Sequence, residues 1–188
     1  MNEKSPALLL HVCCAPCGSA CVERLLAEGR RIALLFSNSN IVSREEFEKR
    51  LACVKRLADY HKLELIVDPY DHDAWLKHVS ELPNFEAAPE GGARCVKCFE
   101  WSLRRTAELA RSRGMNFTTT LTVSPHKNSK LIFSVGARWN HYESYDFKKK
   151  DGFFRSLELS TQFGFYRQAF CGCEYSLQGR ELIKKTVC

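Results

Sequence analysis

A short apolar run, Ala7 to Val12, opens the pattern, and comparable runs return at Ile32 to Phe36, Leu63 to Val67 and Phe117 to Val123. Ile32 to Phe36 is short and continuous, as expected of a strand covered on both faces. Between the runs, apolar positions recur at helical spacing. Cys21, Leu25 and Leu26 mark a helix from Gly18 to Glu28, with Gly29 as its stop. Ser43 and Glu46 have the spacing of a capping box and open a long helix to His61. A short helix from Asp73 to Val79 and a loop from Pro83 to Ala93 come next, then helices from Arg94 to Arg113 and Ser129 to Asn140. Tyr142 to Tyr145 reads as a last strand, and no repeat or low-complexity tract interrupts the order.

Strands alternating with helices predict an α/β fold of three layers, a mostly parallel sheet with helices on both faces, Rossmann-like or PP-loop-like. A helical, basic C-terminal tail is expected beside it. The expected organisation is a single domain over 1–188, with an α/β core over 1–145 and an extension over 146–188. In that extension Ser160 reads as the cap of a short helix through Gln168, and a last, short basic helix as ending at Cys188.

Composition narrows the class. A chain of 188 residues, 45% hydrophobic and 27% charged, has enough apolar material for a core without disulfide staples. No apolar run approaches the ~18 residues of a membrane span. Met1 to Ser5 lacks the charged and apolar regions of a secretory signal, so a cytoplasmic protein with no membrane partner is expected. Ten cysteines in such a setting point to metal ligands or redox thiols rather than structural disulfides. The net charge of +6 supports nucleic-acid binding only weakly.

The cysteines fall in three groups: Cys13, Cys14 and Cys17, then Cys95 and Cys98, then Cys171 and Cys173. The first follows the first strand, and the carboxyl end of a strand is where an open α/β sheet gathers ligands. Cys95 and Cys98, three apart on a helix, present both sulfurs on one face, and a nearby helix N-terminus favours thiolate. Four thiolates suit structural zinc or an iron–sulfur cluster. The adjacent pair Cys13-Cys14 is awkward on one small tetrahedral ion, whereas a cluster has separate irons for them. Seven grouped thiols exceed one four-ligand site, which implies a second metal or a redox dithiol. Gly172 allows the tight backbone that a vicinal disulfide or a shared ion needs. Cys21 and Cys53 read as core, and Cys188 as an incidental thiol.

Several motifs together resemble the cobalamin-independent epoxyqueuosine reductases of the QueH type. They are Leu9 to Cys17, Ser39-Asn40-Ile41, Cys95-Val96-Lys97-Cys98, Thr119-Thr120-Leu121 with Ser124-Pro125-His126-Lys127, and Asp146-Phe147-Lys148-Lys149. The strongest is the tail, from Gly152 to Arg155 through Tyr166-Arg167-Gln168 to Cys171-Gly172-Cys173-Glu174-Tyr175-Ser176. The resemblance covers nearly the whole chain. It implies an oxidoreductase that reduces epoxyqueuosine to queuosine at the wobble base of tRNA, with two electrons and two protons. It further implies a 4Fe–4S cluster on Cys13, Cys14, Cys95 and Cys98, and a redox-active pair at Cys171 and Cys173. Cys17 is expected to face that pair, with the three thiols Cys17, Cys171 and Cys173 bordering a second, mononuclear iron or exchanging electrons as thiols.

The stretch Phe147 to Arg155 and the pair Tyr166-Arg167 mix cations with aromatics, a composition suited to an unstacked anticodon loop. Lys127, Lys148, Lys149, Lys150, Arg155 and Arg167 are the expected tRNA contacts, and an electron donor outside the chain is the other expected partner. His11, Asn38, Asn40, His126, Lys127, Asp146 and Tyr166 are candidate proton donors, His11 equally a core histidine. Three other classes compete. A zinc-stabilised RNA-binding module needs no redox chemistry, and a thioredoxin-like enzyme uses only one C-x-x-C. A tRNA-thiolating enzyme of the ATP-pyrophosphatase fold needs a Gly- and Ser-rich phosphate loop where this chain has Cys13 to Cys17.

Overall fold

The computed structural model describes residues 6–179. Its strands are β1 (Leu8–His11), β2 (Ile32–Phe36), β3 (Leu65–Val67) and β4 (Asn116–Thr119). They form one all-parallel sheet in the order β3-β2-β1-β4. The helices are α1 (Ala15–Ala27), α2 (Arg44–His61), α3 (His72–Ser80), α4 (Ala93–Ser112), α5 (Ser129–Gly136) and α6 (Gly152–Gln162). No described helix is long and apolar enough to cross a membrane.

Two-sided burial explains the continuous apolar runs. Successive strand side chains point to opposite faces, so Leu8, Leu10 and Val12 join Leu34 and Phe36 in a core with residues of α1 and α2. Leu9, Ala33, Leu35 and Phe117 pack instead with Phe99 and Leu103 of α4 and Ile132 and Val135 of α5. The layers are therefore helix, sheet, helix. Gly18 lets α1 approach closely, because a Cβ there would lie 3.0 Å from Val12 Cγ1 and 3.1 Å from Leu57 Cδ2.

Several element boundaries differ from the expected ones. Helix α1 begins at Ala15 rather than Gly18. Pro16 sits in its first turn, where a missing N–H is harmless, so Cys17 is helical and Cys14 is the N-cap. Strand β4 stops at Thr119, because that hydroxyl accepts from the Leu121 N–H at 3.2 Å and turns the chain into a 3-10 segment, Thr120–Val123. Helix α5 ends at Gly136, with Ala137 as its C-cap, and Tyr142 to Tyr145 makes only one bridge, Tyr142 to Phe117, instead of a strand. Ser160 caps nothing. It is buried within α6 with Ser156 and Leu159, at spacings that place the three on one face, and α6 packs against α1. Gly164, at φ +59°, follows its end. Residues 174–179 are helical; the rest of the expected last helix and Cys188 lie outside the described residues.

An ion pair ties the segment after α5 to the sheet. Arg30 donates to both Glu143 oxygens, at 2.6 and 2.8 Å, and Asn116 Nδ2 donates to Glu143 Oε1 at 2.7 Å. The Arg30 guanidinium, with the Asn116 amide, holds the Glu143 carboxyl below the usual carboxylate range. A carboxyl depressed on folding stabilises the protein above its unfolded pKa, about 4.3, and loses that contribution as pH falls through the lower folded value. Glu143→Gln is expected to cost about 1–2 kcal/mol at pH 7, discounted for partial exposure. In urea unfolding that difference from wild type should shrink below about pH 4.

Candidate metal centre and active site

The sheet ends in a polar brace. His11 is buried; its Nε2–H donates to the Ser37 carbonyl at 3.1 Å, and Thr119 Oγ1 donates to its Nδ1 at 2.9 Å. Burial lowers its pKa and so favours the neutral ring, with Nε2 protonated and Nδ1 left to accept. With both nitrogens engaged, His11 joins the ends of β1, β2 and β4 and is not free to pass a proton. Asn38 extends the brace by donating to the Val12 carbonyl at 2.9 Å.

Directly beyond it, the sulfurs of Cys13, Cys14 and Cys17 lie within 4.8 Å of one another. Among the described residues this is the one such set of three metal-ligating side chains. Cys14 and Cys17 stand three apart at the start of α1, and the Cys13 N–H bonds Thr120 Oγ1 at 3.3 Å. Hydrogen bonding to Cys14 and Cys17 holds the Cys13 thiol well below its ordinary pKa. The same sharing with Cys13 pushes Cys14 up to about 12 and raises Cys17 well above its ordinary value. One anion is thereby shared by three sulfurs. Gln168 adds an N–H to Cys14 Sγ at 3.0 Å.

Cys95 and Cys98, on the first turns of α4, face the Cys171–Cys173 loop across a small cavity of about 120 Å³. Burial raises the Cys95 and Cys98 thiols and pushes Cys173 up to about 11. For Cys95 and Cys98 desolvation thus outweighs the expected pull of the helix N-terminus toward thiolate. The Gly91 N–H, 3.2 Å from Cys95 Sγ, opposes it only in part. Cys13 and Cys17 therefore meet Cys98 and Cys171 around one larger cavity of about 720 Å³, while Cys95 and Cys173 line the smaller one beside it. Every described cysteine is a free thiol.

Two buried side chains dock the loop. Arg50 pairs with Glu46 at 2.7 Å, donates to the Cys171 carbonyl at 2.8 Å, and lies over the Phe170 ring. The Tyr166 hydroxyl donates to the other Glu46 oxygen at 2.9 Å, and the Val42 N–H donates to the Gly172 carbonyl at 2.9 Å. Tyr166 therefore clamps the loop's anchor.

The close triad of Cys13, Cys14 and Cys17 is suited to hold a metal ion or cluster. Trp75 is buried, and its indole N–H makes no well-formed hydrogen bond, acting only on the Cys98 sulfur, which with Cys173 packs against the cluster it forms with Trp101. Sulfur-rich clusters take up such N–H bonds, which also tune their potentials.

The expected tRNA contacts divide. Lys149 and Lys150 are exposed, and Arg167 is exposed on the wall of the larger cavity. Arg155 is bound to Glu23 at 2.8 Å and to Glu158 at 2.9 Å, and the Lys148 ammonium donates to the Lys127 carbonyl. Lys127 itself is half-buried and lines both cavities. Asn40 and His126 also line both, while Asp146 receives a bond from Ser129 at 3.1 Å. Sequence reasoning passed over Trp75 and the Arg50–Glu46 pair and gave Gln168, quoted within the tail motif, no role; only the Arg50–Glu46 pair carries a local mark, its spacing of four.

Fold and site together define a parallel α/β protein with a cysteine-rich centre at the carboxyl edge of its sheet. The chain belongs to the epoxyqueuosine reductase QueH family, whose sequence profile matches residues 8–179. A relative named epoxyqueuosine reductase QueH from Acinetobacter baylyi is 36% identical over 200 residues, covering 98% of this chain and 90% of its own length. One of the same name from Streptococcus pyogenes is 35% identical over 193 residues, covering 95% and 74%. Another, from Thermotoga maritima, is 33% identical over 181 residues, covering 92% and 91%.

Gly172 offers a test of the loop's docking. Its φ is +148°, and a Cβ there would lie 2.9 Å from Asn40 Nδ2. Gly172→Ala is expected to cost about 1–3 kcal/mol of local stability and to release the loop from Arg50. Faster alkylation of Cys171 and Cys173, read by mass spectrometry, is the expected result; unchanged rates would show that the loop accommodates the methyl group.

Proposed function

We propose that the chain reduces epoxyqueuosine to queuosine at the wobble position of tRNA. The observation that supports this most is the convergence of thiols from both ends of the chain on one cavity of about 720 Å³. That is a volume suited to a nucleoside-sized ligand. On this reading Cys13, Cys14, Cys95 and Cys98 are the ligands of a 4Fe–4S cluster. Cys17, Cys171 and Cys173 act as redox thiols or border a second iron. A cluster held there would supply electrons singly, so Cys17, Cys171 and Cys173 would hold the second, as thiols or as the residues bordering a second iron. The overall reaction takes two electrons and two protons; both epoxide C–O bonds break, an alkene forms, and the oxygen leaves as water. The electrons come from a donor outside the chain.

The remaining residues bind, orient and protonate. Asn38 and Asn40 give the cavity a polar wall, and His126, exposed at its mouth, relays protons from water. Lys149, Lys150 and Arg167 meet anticodon-loop phosphates. Phe154, 65% exposed beside the cavity-lining Phe153, offers a stacking face to a splayed base. The competing reading is a non-catalytic RNA-binding module with a single zinc, which the closeness of Cys13, Cys14 and Cys17 favours. The open, thiol-lined cavity beside them favours the reductase.

Anaerobic purification should yield protein with broad visible absorption and about four iron and four sulfide per chain, plus any second iron. It should convert epoxyqueuosine in tRNA to a product lighter by one oxygen atom. Serine at Cys13, Cys14, Cys95 or Cys98 should abolish the cluster, whereas serine at Cys17, Cys171 or Cys173 should retain it and stop turnover. A colourless zinc protein, even after reconstitution, would overturn the reading.

The tRNA surface predicts a separate contrast. Alanine at Lys149, Lys150 or Arg167 should lower the slope of log affinity against log salt by about 0.7 each, the single-strand value per lost contact. Alanine at Arg155, already paired with Glu23 and Glu158, should leave that slope unchanged.

A further inference from the structure

We propose that Lys127 is a fixed positive charge shared by both thiol groups, and that it sets how readily the centre between them accepts an electron. The inference rests on the iron–sulfur reading given above and deepens it.

Lys127 belongs to the turn between Thr120–Val123 and α5. Its side chain lines the larger cavity with Cys13 and Cys17 and the smaller one with Cys95 and Cys173, while Cys98 and Cys171 belong to both walls. The backbone beneath it is pinned. The Lys127 N–H donates to the Ser124 carbonyl at 3.3 Å, the Lys148 ammonium donates to the Lys127 carbonyl, and Asn128 caps α5 through the Lys130 and Leu131 amides. The long side chain therefore extends from a fixed point toward the sulfurs.

Its ammonium is half-buried, and among the described residues no carboxylate comes within 4.0 Å of it. A cation withdrawn from water needs anions to face it. Glu90 is the one carboxylate on the two cavity walls, and its Oε1 accepts from the Ser176 hydroxyl at 3.2 Å; apart from the thiols, the other ionisable groups there are His11, Arg50, Arg94, His126 and the exposed Arg167. The sulfurs are the partners left, the shared negative charge at Cys13 among them. Cys171 foremost, then Cys13, Cys17 and Cys14, hold Lys127 in its charged form. The attraction is mutual. A positive charge beside a sulfur-ligated cluster favours its reduced, more negative state over the oxidised one. Lys127 therefore acts through the sulfurs as a positioning and electrostatic residue, in contrast to the phosphate contact that its sequence context suggests.

The test uses the full chain loaded with iron and sulfide under anaerobic conditions, as wild type, Lys127→Met, Lys127→Gln and Lys127→Arg. The two neutral variants, at wild-type iron and sulfide content, are expected to shift the reduction equilibrium about tenfold toward the oxidised form. That is about 59 mV lower for one electron. Lys127→Arg is expected to stay near wild type, and the salt dependence of tRNA binding to stay the same in all four. If instead the neutral variants lose iron and Lys127→Arg keeps it, the charge requirement still stands. Loss of iron from all three variants would overturn the inference, as would an unchanged potential at wild-type iron content; a salt slope lower by about 0.7 beside it would mark a phosphate contact instead. Wild-type protein without iron would overturn the underlying reading and the inference together, a result distinguishable from the other two by the wild-type iron count alone.

Discussion

Strand β1 is hydrogen-bonded in parallel on both sides, to β2 and to β4, and the rest of the site hangs from that double pairing. Parallel strands all finish at one edge of a sheet, so three chain segments separated widely in sequence are brought to a common rim. There the backbone can no longer satisfy itself, and His11, Ser37, Thr119 and Asn38 take over with side-chain bonds. The brace is neutral and fully used, which leaves the chemistry to the residues one step further out. Cys13 to Cys17 occupy that step, with α1 starting under them.

Crowding thiols at a buried rim raises an electrostatic difficulty that the chain meets by distributing N–H groups and cations around them. Gln168 reaches Cys14 from the far end of the chain, Gly91 meets Cys95, and Lys127 stands between the two groups. The Cys171–Cys173 loop is carried by backbone carbonyls clasped by Arg50, itself neutralised by Glu46. The tail is thus docked through its main chain, and its two sulfurs are left unencumbered toward the cavities.

What could be read from sequence follows the range of the interaction involved. The β–α alternation was legible because two-sided burial leaves continuous runs such as Leu8 to Leu10. Capping at Ser43 was legible because it spans only three residues, and the structure shows its hydroxyl accepting from the Glu46 N–H. The Thr118 to Val123 run was misleading, since β-branched residues favour strands while one hydroxyl, on Thr119, suffices to turn the chain. Cysteine groups could be recognised by local spacing, but which group faces which could not. That depends on packing between residues such as Cys14 and Gln168, 154 positions apart. The basic tail was read as one uniform surface, yet Arg155 and Lys148 have protein partners that no composition reveals.

The wide separation of the cysteine groups has a consequence for biogenesis. A ribosome releases Cys13, Cys14 and Cys17 roughly 150 residues before Cys171 and Cys173. While the intervening residues are made, the first thiols stand without the loop that will face them, and the clasp at Arg50 has nothing to hold. On the reading proposed above, docking of the tail would complete the set of redox thiols rather than the four cluster donors, which would make it the last step in assembling the site.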